Sequence, residues 1–232
     1  MDERTLQFGD LQVSRDRLSA GILFAKVDGQ DCLVKDAANR KRGSLRASIP
    51  NGTDVHREWA TYLFAKMVPG LVEVPAMALR EVNGEPVIVM EQITNGYQSY
   101  DMPRGLSVTI KRNMALFDAI TGNTDRHGQN YFVTTAPDRT RRIIAIDHGL
   151  CFPIPSSYGE IDAGTTDFLR DEALPQWCTR WLLKILALEI KIRKALRPYL
   201  EPEAIEHMFI RVNWMLNRGT FMSHRNLKYY AR

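Results

Sequence analysis

The feature that most constrains this chain is a change of pattern near residues 95–105. Before it, short apolar runs at residues 11–13, 21–27 and 31–35 read as strands, the last two joined by an Asp28-Gly29 turn. One amphipathic helix follows. It opens at Thr53 or Asp54, carries Val55, Trp59, Tyr62, Leu63 and Met67 at helical spacing, and stops at Gly70. Two more strands, residues 72–80 and 86–92, flank a Val82-Asn83-Gly84-Glu85 turn. Beyond the Gly/Pro/Tyr-containing break the pattern turns helical: residues 107–121, 176–199 and 202–218, with a short strand pair at 130–134 and 142–147. Strands around one helix, a connector, then helices around a small strand pair predict an α+β, bilobal plan. The expected boundary puts a β-rich lobe at residues 1–94 and a helical lobe at 95–232, with a cleft beneath the connector.

Composition narrows the class. With 44% apolar and 25% charged residues, the chain has globular rather than disordered or fibrous character. Its most apolar stretch, residues 181–190, is interrupted by Lys184 and Glu189, so no membrane span is expected. Three widely spaced cysteines, Cys32, Cys151 and Cys178, fit neither a disulfide framework nor a zinc cluster. With no apolar signal segment near Met1, a reduced, cytoplasmic protein is expected. Net charge is +4, concentrated in two acid-free basic tracts, residues 39–48 and 217–232. Such tracts read first as a solvated loop and a tail, and nucleic acid is not an expected partner.

The densest polar cluster runs from Gly122 through Asp125, Arg126 and His127 to Asn130, between an apolar helix and an apolar strand. Seventeen residues after Asn130, a second apolar strand delivers Asp147-His148-Gly149. Phosphoryl transfer needs oxygen ligands for magnesium, a cation on the nucleotide phosphates and a carboxylate facing the attacking hydroxyl. Asp147 and Asn130 are the expected metal ligands, and Asp125 the acceptor-side carboxylate. Lys35 ends an apolar strand and needs an anionic partner, which Glu58 on the next helix can supply. His127 either stabilises the transferring phosphoryl group or hydrogen-bonds Asp147.

This order of parts resembles the protein-kinase-like superfamily. Asp125 and Asn130 are five positions apart, as in the kinase signature His-Arg-Asp-Leu-x-x-x-Asn, but the local order here is Asp-Arg-His. That form is similar to the phosphatidylinositol 3-/4-kinase-like and HipA-like branches, and the resemblance covers residues 11–152. It implies a protein-kinase-like fold, ATP and Mg2+ as cofactors, and Lys35, Asp125, His127 and Asn130 as catalytic residues. It also implies Lys35, Glu58 and Gly21 around the nucleotide and an adenine-binding hinge at Glu91, Gln92 and Ile93. Two departures stand out. Asp-His-Gly replaces the kinase Asp-Phe-Gly, and only Ser19-Ala20-Gly21 occupies the place of a multi-glycine phosphate loop.

The expected activity is a Mg-ATP-dependent kinase reaction. The acceptor is a protein Ser/Thr hydroxyl or a small molecule rather than a lipid, because residues 149–174 carry five acids against Arg170. Ser44 and Ser48, in the first basic tract, are candidate sites of self-modification. Alternatives are a pseudokinase-type binding module, nucleotidyl (AMP) transfer on the same residues, and a metal-dependent phosphoesterase. The last calls for more His and Asp ligands than this sequence gathers.

Overall fold

The computed structural model describes residues 1–19, 21–36, 46, 48–99, 106–136, 138–154, 169 and 172–222. A short helix α1 (Glu3–Phe8) precedes strands β1 (Leu11–Ser19), β2 (Ile22–Val27) and β3 (Gln30–Asp36). Helix α2 (Asp54–Met67), β4 (Met77–Val82) and β5 (Glu85–Glu91) follow. The five strands form one antiparallel sheet in the order β1-β2-β3-β5-β4. Strand alternation gives it two faces. Leu6 of α1 joins Val27, Cys32, Val34, Val87 and Val89 in one buried cluster. The opposite face carries Leu33, Ile88 and Met90, which pack with Val55, Trp59 and Tyr62 of α2. Lys35 shares this second face, two residues along from Leu33.

The remainder is α3 (Val108–Thr121), α4 (Gln176–Ala187), α5 (Glu189–Leu196) and α6 (Pro202–Arg218). With them goes a three-stranded sheet, β6 (Gly96–Tyr97), β7 (Tyr131–Thr135) and β8 (Arg141–Ala145). The largest core cluster joins Phe64 of α2, Phe117 of α3 and Phe152 to Leu182, Ile192 and Met208 of the later helices. The Ala145 amide donates to Glu73 O at 2.8 Å, tying the segment before β4 to the second sheet. No described helix is long and apolar enough to cross a membrane.

Three differences from the sequence reading have physical causes. Thr53 does not cap α2: its hydroxyl donates to Pro50 O at 2.7 Å and accepts from Arg57 Nε at 2.8 Å. The helix expected over residues 176–199 breaks at Leu188. An unbroken helix would put Glu189 on the seam between buried Ile185 and Ile192; instead Glu189 accepts from Arg193 at 2.7 Å on the surface. Helix α1 and the two-residue β6 carry too short a periodicity to be read. Of the proposed self-modification sites, Ser44 lies outside the described residues and Ser48 is buried.

Candidate active site

Helix α3 positions the polar loop. Ser107 caps its start, accepting from Ile110 N at 3.2 Å, and Gly122 ends it in the left-handed region at φ 64°. A Cβ at residue 122 would lie 2.8 Å from both Arg211 Cζ and Pro153 Cδ, so both conformation and space call for glycine. Thr124 then fastens the loop to the segment after β8, both its amide (3.1 Å) and its hydroxyl (2.9 Å) donating to Leu150 O. The Asp125 amide donates to Asn123 Oδ1 at 2.9 Å, an Asx turn that sets the direction of this carboxylate.

Arg126 braces the whole loop. Fully buried, its Nε donates to both Asp118 oxygens at 3.1 and 3.2 Å, and its Nη1 to the carbonyls of Asn130 and of Ile146, the latter at 2.8 Å. Burial alone would lower its pKa, but Asp118 overrides this and holds the guanidinium charged. Ile146 N donates to Asn130 O at 3.1 Å, so the two expected metal ligands leave adjacent strand positions. Asn130 Nδ2 donates to Asp125 O at 2.7 Å, which assigns its other side-chain atom as an oxygen turned away from that carbonyl.

Lys35, Glu58 and Asp147 meet at one point. Lys35 Nζ lies 2.6 Å from Glu58 Oε2 and 2.5 Å from Asp147 Oδ1. The Lys35 and Glu58 side chains are essentially buried, while that of Asp147 is 39% exposed. Burial pushes the Glu58 carboxyl up, but the Lys35 ammonium, helped by His148, outweighs it and holds the group well below its ordinary value. Asp147 itself sits at φ 56°, a left-handed conformation that Asp and Asn tolerate best among side-chain-bearing residues. His148 turns inward and is fully buried, and Gly149 packs on α2, with a Cβ there 3.1 Å from Asp54 Cβ.

The other expected residues are placed more loosely. Gly21 lies beside Lys35, since Ile22 pairs with Lys35 and Gly21 O accepts from Asp36 N at 3.0 Å. His127 is half-exposed; its Nδ1 accepts from Gln129 N at 3.2 Å, and its Nε2 is 3.9 Å from Asp125 Oδ2. At the end of β5 the Glu91 amide donates to Ala76 O at 2.9 Å, while its carboxylate accepts from Ala76 N. Gln92 and Ile93 follow, half-buried. Beside that strand end a cavity of about 410 Å³, lined by Lys66, Val72, Val74, Glu91 and Ile93, contains none of the charged cluster.

Two contributors were not read from the sequence. Arg46 donates from Nη2 to Asp125 Oδ1 at 3.0 Å and from Nε to Thr124 O at 3.0 Å. Arg57, fully buried beside Glu58, reaches the carbonyls of Cys151 and Phe152 and the Glu201 carboxylate at 2.6 Å. An arginine following the helix-opening Thr53 by four residues was the available signal for the second. Of the five acids in residues 149–174, Glu172 is paired with Arg112 at 3.0 Å and the other four lie outside the described residues.

Comparison with known proteins agrees with this geometry. A family model for phosphatidylinositol 3- and 4-kinase matches residues 111–200, from within α3 to just past α5. Among solved structures the chain is similar to the Helicobacter pylori proinflammatory kinase CtkA, with 14% identity and a TM-score of 0.56 over 93% of this chain and 95% of that one. A weaker likeness links it to a Rio2 kinase–ADP/Mg2+–phosphoaspartate complex from Chaetomium thermophilum (12% identity, TM-score 0.45, 88% and 72% covered). Another is to HipA in the HipA, HipB and operator DNA complex of Shewanella oneidensis (16% identity, TM-score 0.38, 94% and 67% covered). No curated protein matches the chain. The fold is therefore protein-kinase-like, α+β, with an antiparallel sheet in its first part and helices in its second. Its residues 111–200 are similar to the family model of phosphatidylinositol 3- and 4-kinases.

Proposed function

We propose that the chain is a Mg-ATP-dependent phosphotransferase acting on a hydroxyl of a basic protein or peptide. One observation carries this reading: Lys35, Glu58 and Asp147, 23 and 112 residues apart from the lysine in sequence, converge within 2.6 Å contacts. A surface lysine and two unrelated carboxylates have no reason to assemble in a largely buried cluster, whereas a nucleotide-phosphate site requires it. Lys35 would hold the nucleotide phosphates, with Glu58 fixing its direction and Gly21 nearby. Half-buried Leu33, Phe24 and Ile22, on the Lys35 face of the sheet, offer an apolar wall to the adenine ring. The Glu91 amide is already engaged with Ala76, so the hydrogen bonds at the hinge fall to Gln92 and Ile93.

The donor set suits magnesium. Among the described residues no three His, Cys, Asp or Glu side chains gather as a metal cage. One carboxylate, Asp147, and one amide oxygen, Asn130, are what a cation completed by phosphate oxygens and water calls for. Mg2+ held there would neutralise charge on the transferring phosphoryl group. Asp125 would orient the acceptor hydroxyl, and half-exposed His127 would line the same mouth. Arg46 already pairs with Asp125 at 3.0 Å, so a basic acceptor would have to take the place of that guanidinium.

Intact-mass spectrometry after incubation with ATP and magnesium, with and without a basic Ser/Thr peptide, tests the reading. Gain of one phosphate on protein or peptide is expected. Gain of AMP would reassign the chain to nucleotidyl transfer, and no covalent gain with ATP bound would make it a binding module.

A further inference from the structure

The residue that departs from the kinase pattern, His148, occupies an unusual setting. It is fully buried, and neither ring nitrogen makes a hydrogen bond. Its neighbour Glu58 is equally buried: Oε2 receives Lys35, but Oε1 has no hydrogen-bond partner. The two unsatisfied groups face each other, His148 Nδ1 lying 3.7 Å from Glu58 Oε1. Buried polar atoms without partners are rare because each has given up its hydrogen bonds to water with nothing in return. Two of them pointed at one another, within about 1 Å of hydrogen-bond distance, form a matched donor and acceptor rather than two accidents. The ring cannot swing away easily, since Phe117 meets it edge-on with centroids 6.0 Å apart.

We infer that His148 is a positioning residue for the nucleotide lysine: its Nδ1–H takes one oxygen of Glu58, leaving the other aimed at Lys35. This rests on the phosphotransfer reading of the Lys35 cluster. The role is coupled to the backbone, because His148 directly follows Asp147. The inward ring ties α2 to the strand end that presents the metal carboxylate, a link that the phenylalanine of Asp-Phe-Gly makes by packing alone. Here the link is polar, and it discriminates between donors and mere fillers of space.

Two substitutions separate these. His148→Phe keeps the ring volume and the edge-on contact but removes the N–H; His148→Gln keeps a donor. We expect His148→Phe to lower kcat about tenfold with KM for ATP changed less than about twofold, and His148→Gln to stay within about threefold of the unsubstituted protein. The thermal midpoint of His148→Phe should fall by about 2–4 °C. The same change made in a Glu58→Leu background should alter neither kcat nor midpoint further, because no acceptor oxygen is left at residue 58. Equal effects in both backgrounds, or a His148→Phe protein indistinguishable from the parent, would overturn the inference. If the parent turns over no ATP, the phosphotransfer reading fails by itself. The midpoint cycle between residues 58 and 148 still decides whether the link exists.

Discussion

Lys35 sits between two carboxylates, and each contact sets a different expectation. Removing the ammonium leaves Glu58 as an unpaired buried charge, so Lys35→Met should cost about 3–5 kcal/mol as well as activity. The double variant Lys35→Met/Glu58→Gln neutralises both partners. It should recover most of the stability in chemical denaturation and none of the ATP turnover, which separates the structural role of the pair from the chemical one. Asp147→Asn should keep the fold, since Asn tolerates the left-handed backbone there, yet reduce metal-dependent turnover by about a hundredfold or more. Steady-state kinetics at saturating magnesium checks this, and parental turnover would remove Asp147 from the metal site. The pH dependence has a definite sign. Because the folded Glu58 carboxyl titrates below its ordinary 4.5, the unfolded chain binds the proton first as pH falls. Its contribution is whole above about pH 4.5 and is lost progressively below it. The stability gap between the parent and Glu58→Gln should therefore narrow from pH 6 to pH 3 in thermal melts.

At the scale of elements, what was legible depended on periodicity and on strand ends. Helix α6 matched its expected bounds because Pro202 opens it and Gly219 closes it. That residues 125–130 form a loop was legible because a polar run lies between apolar elements on both sides. The contacts of Arg46 and Arg57 were not, since an arginine in a loop or on a helix carries no mark of which distant carbonyl it will meet. The break at Leu188 was hidden because the apolar spacing runs on through it. Gly122 offers the element-scale prediction. Gly122→Ala forces positive φ on a side chain and a 2.8 Å contact with Arg211 and Pro153. A loss of about 1–3 kcal/mol is expected in urea denaturation, with a matching displacement of the loop that carries Asp125.

Over the whole molecule, the acceptor we propose rests on charge rather than on the family whose model matches the helical part. An arginine already rests on Asp125, and the sequence following Asp147 is acidic. An acidic stretch would repel an anionic headgroup and draw a basic one, within the roughly 8 Å over which charges act at physiological salt. In a radiolabelled ATP assay, basic Ser/Thr peptides should accept more phosphate than phosphatidylinositol vesicles, and the preference should shrink as salt is raised. Lipid product without labelled peptide would reverse the assignment. Sequence reached the charge balance of this region but not its geometry. Glu172, one of the counted acids, turned out to be held by Arg112.

The brace built by Arg126 has a consequence for inheritance. Its partners, Asp118, Asn130 O and Ile146 O, all fall within residues 118–147, as do Asp125 and Asp147 themselves. The loop carboxylate, both oxygen donors and the clamp that spaces them are thus one short stretch of gene, passed on or lost together. Lys35 and Glu58 must instead be kept in register with it through long-range contacts such as those of Arg57 with the carbonyls of Cys151 and Phe152. Divergence in the first sheet can therefore run far while the stretch after α3 stays recognisable. The family match, residues 111–200, contains this stretch and runs on past it through α5.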